Sequence, residues 1–106
     1  MLNIEEFRKL QLIIAQIKEV QDHPNADKLY VLKIDTGSGE KQLVAGIRAS
    51  YTKEELVGRF IVVVNNLEGA VIRGEKSEGM LLAASDEKGI SILVPDRAIK
   101  PGSIVK

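Results

Sequence analysis

Apolar residues along the chain fall into short runs, separated by polar turns rich in glycine. Ile4, Phe7 and Leu10 recur at helical spacing behind Asn3, and Glu6 sits three positions on, as a capping box requires. That pattern predicts a short helix over 3–9. From about residue 11, the β-branched density of Ile13, Ile14, Ile17 and Val20 predicts a strand. The turn formers DHPNAD, 22–27, end it. Residues 28–35 alternate between apolar and polar positions, TGSGE at 36–40 reads as a turn, and Lys41 to Ile47 returns as the partner strand of a hairpin. Thr52 with Glu55 forms a second capping box, opening a helix over 53–57 that Gly58 closes. Arg59 to Asn65 is the strongest strand signal, built on Phe60, Ile61, Val62, Val63 and Val64. Residues 66–79 read as a long loop marked by Gly69, Gly74, Ser77 and Gly79. Strands follow from Met80 to Ala84 and from Ile90 to Val94, turned by SDEKG. Pro95, Pro101 and Gly102 break up a tail that still carries Ile99, Ile104 and Val105.

The order is helix, three strands, short helix, two strands, apolar tail. A short helix between the third and fourth strands predicts a mainly β fold, a five-stranded Greek-key barrel of OB type. Periodicity by itself leaves other small barrels open. With 106 residues, the chain is read as one domain, 1–106. The segments 1–10 and 97–106 stand as extensions of the barrel. A barrel core needs only its strands, so Ile4, Phe7, Ile99, Ile104 and Val105 are surplus apolar surface, and a two-fold partner would bury them. The alternative is that both ends fold back over their own barrel.

Composition narrows the chemistry. The absence of cysteine excludes disulfides, thiolate metal sites and a cysteine nucleophile, and a single histidine excludes a multi-histidine metal site. No catalytic constellation, metal site or cofactor is expected. His23 lies in a turn before Pro24 and reads as a residue satisfied by backbone groups. The carboxylate pairs Glu54/Glu55 and Asp86/Glu87 read as solvated charges. No apolar run is long enough to span a membrane, and the first residues lack a secretory signal pattern, so the expected compartment is the cytoplasm. The 15 basic and 15 acidic residues cancel. The basic excess is local: residues 28–76 carry eight basic against six acidic groups. A polyanion would therefore meet a patch rather than a uniformly positive face. Phe7 and Phe60 sit in apolar contexts and are expected to be buried. That leaves Tyr30 and Tyr51 exposed, too few for a base-stacking platform. Recognition of a folded RNA through phosphates and shape stays open.

HPNADKLYVLKID (23–35), QLVAGI (42–47), YTKEELVGR (51–59), NNLEG…IRG (65–74) and KSEGMLLAAS (76–85) together resemble the tRNA-binding domain appended to methionyl-tRNA synthetases. That domain also occurs as a free-standing dimeric protein. The ends MLNIEEF and PDRAIKPGSIV resemble its dimer-forming versions. The resemblance implies an OB barrel that binds tRNA without strong sequence preference. It also implies a homodimer through the terminal segments, and a non-catalytic role beside the catalytic body of a methionine–tRNA ligase, covalently attached or separate. Carried onto this chain, the tRNA face would hold Lys28, Lys33, Arg73, Lys76, Ser77 and Met80. Lysine and arginine would meet phosphates, Ser77 a phosphate or a 2′-hydroxyl, and Met80 a base or ribose.

The chain departs from the family pattern in its first strand, where the usual Arg and Lys are Ile13 and Gln16, and at Gly69, Ala70 and Val71, where proline and basic residues are common. An exposed Ile13 would mark a protein contact. The neutral charge and these losses favour an alternative, a protein-interaction module resembling secretion chaperones that hold unfolded polypeptide.

Overall fold

The computed structural model describes all residues, 1–106. Helix α1, Ile4–Phe7, is shorter than predicted. Its capping box forms: the Glu6 amide donates to Asn3 Oδ1 at 2.9 Å and the Asn3 amide to Glu6 Oε1 at 3.4 Å. The helix buries nothing. It hangs from the barrel by polar bonds at its exit, with Asn66 Nδ2 donating to the Lys9 carbonyl and the Gln11 amide to Asn66 Oδ1.

Strand β1, Leu12–Asp22, is the axis of the fold. Its first half, Leu12 to Gln16, pairs antiparallel with β4, Phe60–Val64, and its second half, from Gln16, pairs with β2, Tyr30–Asp35. The register shifts between Ile17 and Glu19, and an extra residue there increases the twist that lets one strand serve two neighbours. β2 turns into β3, Glu40–Ala45, in full register from Tyr30↔Ala45 to Asp35↔Glu40. Helix α2, Lys53–Leu56, forms one residue shorter than predicted, and only half of its capping box is made: Thr52 Oγ1 accepts from the Glu55 amide. Its Leu56 is fully buried with Ile17, Leu32, Ile34, Leu43, Ile61 and Val63. This core makes the sheet curl into a nearly closed, barrel-like wall, an OB-type barrel.

Three regions differ from the sequence expectation. The predicted loop 66–79 contains a hairpin, β5 (Ala70–Ile72) with β6 (Glu75–Ser77). The predicted strand 80–84 is two pieces. β7, Met80–Leu81, pairs with β4, while β8, Ala83–Asp86, pairs with β9, Gly89–Ile92, as a separate two-stranded ribbon. The tail forms β10, Ile104–Val105, on β1 at Leu12↔Val105 and Ile13↔Ile104. It fills the place beside β1 that β2 vacates beyond Gln16. The main sheet therefore has six strands, ordered β3-β2-β1-β4-β7 with β10 added to β1.

That tail also corrects the reading of Ile13. It is buried and belongs to the core cluster, because β4 and β10 flank it on both sides. Two aromatic expectations change as well. Phe7 is exposed, because α1 lies off the core, and Phe60 is only half buried. Tyr30 is buried, its hydroxyl donating to the Tyr51 carbonyl at 2.7 Å, so no tyrosine pair is left for stacking. No helix is long and apolar enough to cross a membrane.

Candidate nucleic-acid interface

The β5–β6 hairpin turns on Arg73 and Gly74, with φ of 53° and 93°. Two successive left-handed residues make a tight hairpin turn whose twist matches the strands. Asparagine or aspartate normally stands first in such a turn. Arginine there concealed the hairpin from a reading of turn residues.

Polar side chains seat this hairpin on its neighbours. On one side, His23 Nε2 donates to the Ile72 carbonyl at 2.9 Å, and the Asn25 amide donates to His23 Nδ1 at 2.9 Å. These partners assign the neutral tautomer with the proton on Nε2. The imidazole is buried and both nitrogens are used by backbone, as a turn histidine should be. Arg73 Nη2 donates to the Asn25 carbonyl at 3.0 Å, and Asn25 Nδ2 donates back to the Arg73 carbonyl at 3.3 Å. The 22–27 turn is itself tethered from behind. Arg48 and Lys53 both pair with Asp22, and Arg48 Nη1 reaches the Ala26 carbonyl.

On the other side, β6 and the residues after it close the barrel against β3. Gln42 Nε2 donates to the Lys76 carbonyl, the Gln42 amide to Glu78 Oε1, and the Glu78 amide to the Gln42 carbonyl at 2.8 Å. Ser77 Oγ accepts from the Val44 amide and donates to the Gly79 carbonyl, both at 3.1 Å. Backbone groups at the barrel seam are thus satisfied mostly by side chains, with one backbone bond, Glu78 to Gln42, among them.

Ser77 is consequently turned inward and buried. Its hydroxyl hydrogen is committed to Gly79, and its place is under the face rather than on it. Lys33 and Lys76, from different elements, meet in a shallow polar cleft completed by Glu40, Lys41, Gln42 and Glu78. Neither Lys33 nor Lys76 is in an ion pair, since the salt bridges involve Arg48, Lys53 and Arg97. Lys41 is partly spent: its Nζ donates to Asn65 O and Oδ1. Lys28 is exposed where the chain leaves the 22–27 turn. Met80, on β7, is about half exposed (49%). The arrangement thus groups Lys33 with Lys76, places Arg73 against the turn that precedes Lys28, and buries Ser77 beneath. Reading motifs one at a time missed Asn25, Gln42 and Glu78. Asn25 lies within a stretch already legible as a turn. Gln42 and Glu78 carry no local signal, because their partners lie 36 residues away.

The cleft thus brings the unpaired charges of Lys33 and Lys76 together beside the carboxylates of Glu40 and Glu78. The family model of the tRNA binding domain matches residues 12–104. The methionine–tRNA ligase of Pyrococcus furiosus is 50% identical over 105 residues, covering 99% of this chain and 14% of the ligase. This chain therefore spans about one-seventh of the length of the ligases it matches. Among solved structures, a MetRS-related protein from Pyrococcus horikoshii superposes with a TM-score of 0.93 at 29% identity, covering 100% of this chain and 98% of the other. The CsaA chaperone protein from Picrophilus torridus superposes with a TM-score of 0.93 at 34% identity, with all of both chains covered.

Proposed function

The chain belongs to the tRNA-binding domain family, and on that premise we propose that it holds tRNA by phosphates and shape through the face carrying Lys28, Lys33, Lys76 and Met80, with Arg73 at the hairpin turn beside them. The observation that carries the proposal is the convergence of Lys33 and Lys76 in one cleft, neither of them ion-paired with the Glu40 and Glu78 carboxylates that share it. A lysine whose charge is not neutralised inside the protein gains most from displacing counterions on a polyanion. The absence of a stacking aromatic surface and of a basic net charge fits shape reading better than capture of any single strand. The function is assistance: a weak site keeps tRNA at high local concentration near a catalytic body, as an appended or separate part of a methionine–tRNA ligase in the cytoplasm. This module contributes no catalytic residue.

The second part of the proposal is a homodimer. Ile4 (59%) and Ile104 (75%) expose most of their apolar surface, and Phe7 and Ile99 also stand out of the barrel. A symmetric partner would cover this surface, with Val105, half buried on β1, at its edge.

Titration with tRNA at about 50 and 200 mM salt tests the first part, with an unstructured RNA of equal length as competitor. Contacts from Lys28, Lys33 and Lys76 should reduce affinity roughly tenfold to fortyfold across that interval. No binding at low salt overturns the reading. The likeness to a chaperone favours one alternative, binding of unfolded polypeptide. Equal competition by a denatured protein would move the assignment there.

A further inference from the structure

Resting on the tRNA reading, the geometry points to Arg73 as a positioning residue rather than a phosphate contact: with Asn25 and His23 it locks the β5–β6 hairpin onto the 22–27 turn, and so fixes where Lys76 stands relative to Lys28 and Lys33. The guanidinium is folded back onto the Asn25 carbonyl, while the Asn25 side chain returns a bond to the Arg73 carbonyl. This reciprocal pair joins residues 48 positions apart. One turn of chain away, His23 grips the strand end through Ile72.

The backbone at Arg73 supports the same assignment. A non-glycine residue in the left-handed region costs on the order of 1 kcal/mol, and such strain persists where the surroundings fix it. Here the fixing partners are Asn25 and His23 themselves. Lys76 sits three residues further on, exposed, without a hydrogen-bonded or ionic partner of its own. Its backbone is fixed toward β3 by Gln42 and its neighbour Ser77, and toward the 22–27 turn only through His23, Asn25 and Arg73. If the hairpin came off the turn, Lys76 would still carry its charge, but binding would have to pay the cost of ordering ten or so backbone dihedrals.

The experiment compares Arg73→Ala, Asn25→Ala, the double variant and Lys76→Ala by tRNA titration over a range of salt. Hydrogen exchange of amides in residues 70–77 of the free proteins is measured alongside. A phosphate contact removed from Lys76 should lower the salt slope by about 0.7–0.9. Arg73→Ala should weaken binding roughly two- to tenfold, the value of a lost hydrogen bond, and leave the slope unchanged. Asn25→Ala, which alters no charge, should reproduce that loss. The double variant should fall short of the product of the two, because both act on one docking contact. Exchange at 70–77 should accelerate in both single variants and not in Lys76→Ala. A slope reduced in Arg73→Ala as in Lys76→Ala overturns the proposal, and so does unchanged exchange. If the unaltered chain binds no tRNA, the tRNA reading fails, and the exchange data still decide whether the clamp exists.

Discussion

Two additions flank the same barrel and are attached by opposite means. The β5–β6 hairpin is held by side chains: His23, Asn25, Arg73, Gln42 and Ser77 reach backbone groups across elements. The β10 tail is held by backbone. The Ile14 amide donates to Ser103, the Gly102 amide to Ile14, and Gly37 packs on Pro101 so closely that a Cβ would lie 2.5 Å from the Pro101 carbonyl oxygen. The hairpin leaves Lys76 to solvent together with Val71, which is 73% exposed. A tail seated by backbone leaves Ile104, whose side chain has no part in the attachment, to solvent. On the proposed function, the side carrying Lys76 would meet a polyanion and the side carrying Ile104 an apolar partner.

The sharpest way to break the comparison is Gly37→Ala. φ is +88° and the added methyl meets backbone, so the tail must move. A loss of about 3 kcal/mol is expected, measured by denaturant unfolding, with the hairpin's exchange unaffected. Loss of exchange protection in both regions would show that they are not independent.

Ser77→Ala removes a hydroxyl that satisfies two partly buried backbone groups at the seam, and about 1–2 kcal/mol should go. The salt slope of tRNA binding should stay unchanged. A reduced slope with unaltered stability would return Ser77 to the binding surface.

The smallest effect on stability is expected for Ile104→Ser, within about 0.5 kcal/mol, since the side chain is exposed and the β10 bonds are backbone. Its effect should appear in sedimentation equilibrium instead, as a weaker dimer. A mass independent of concentration for both proteins, at the monomer value, would refute the apolar end as a dimer surface.

Much of this was legible along the chain. The capping residues Asn3 and Thr52, the turn 22–27, and the alternation that gives β2 and β3 their register are local signals, set by backbone preference and by which face of a strand is apolar. The lysines of the candidate face were also recognisable, as parts of motifs. The 66–79 segment was not, because Arg73 stands where a turn former was expected. Its strands are short, and they are stabilised by groups more than thirty residues away.

The mainly β character and the order of the strands were written in the chain, since strand period and turn chemistry act over a few residues. Tertiary structure alone decided which polar groups would be spent inside and which left outside. Ser77 went under the face, Arg73 onto Asn25, Ile13 into the core and Lys76 into solvent. A hydroxyl, a guanidinium and an isoleucine carry the same intrinsic preferences wherever they stand. Their roles depend on which unpaired backbone group or apolar surface the folded chain brings within reach.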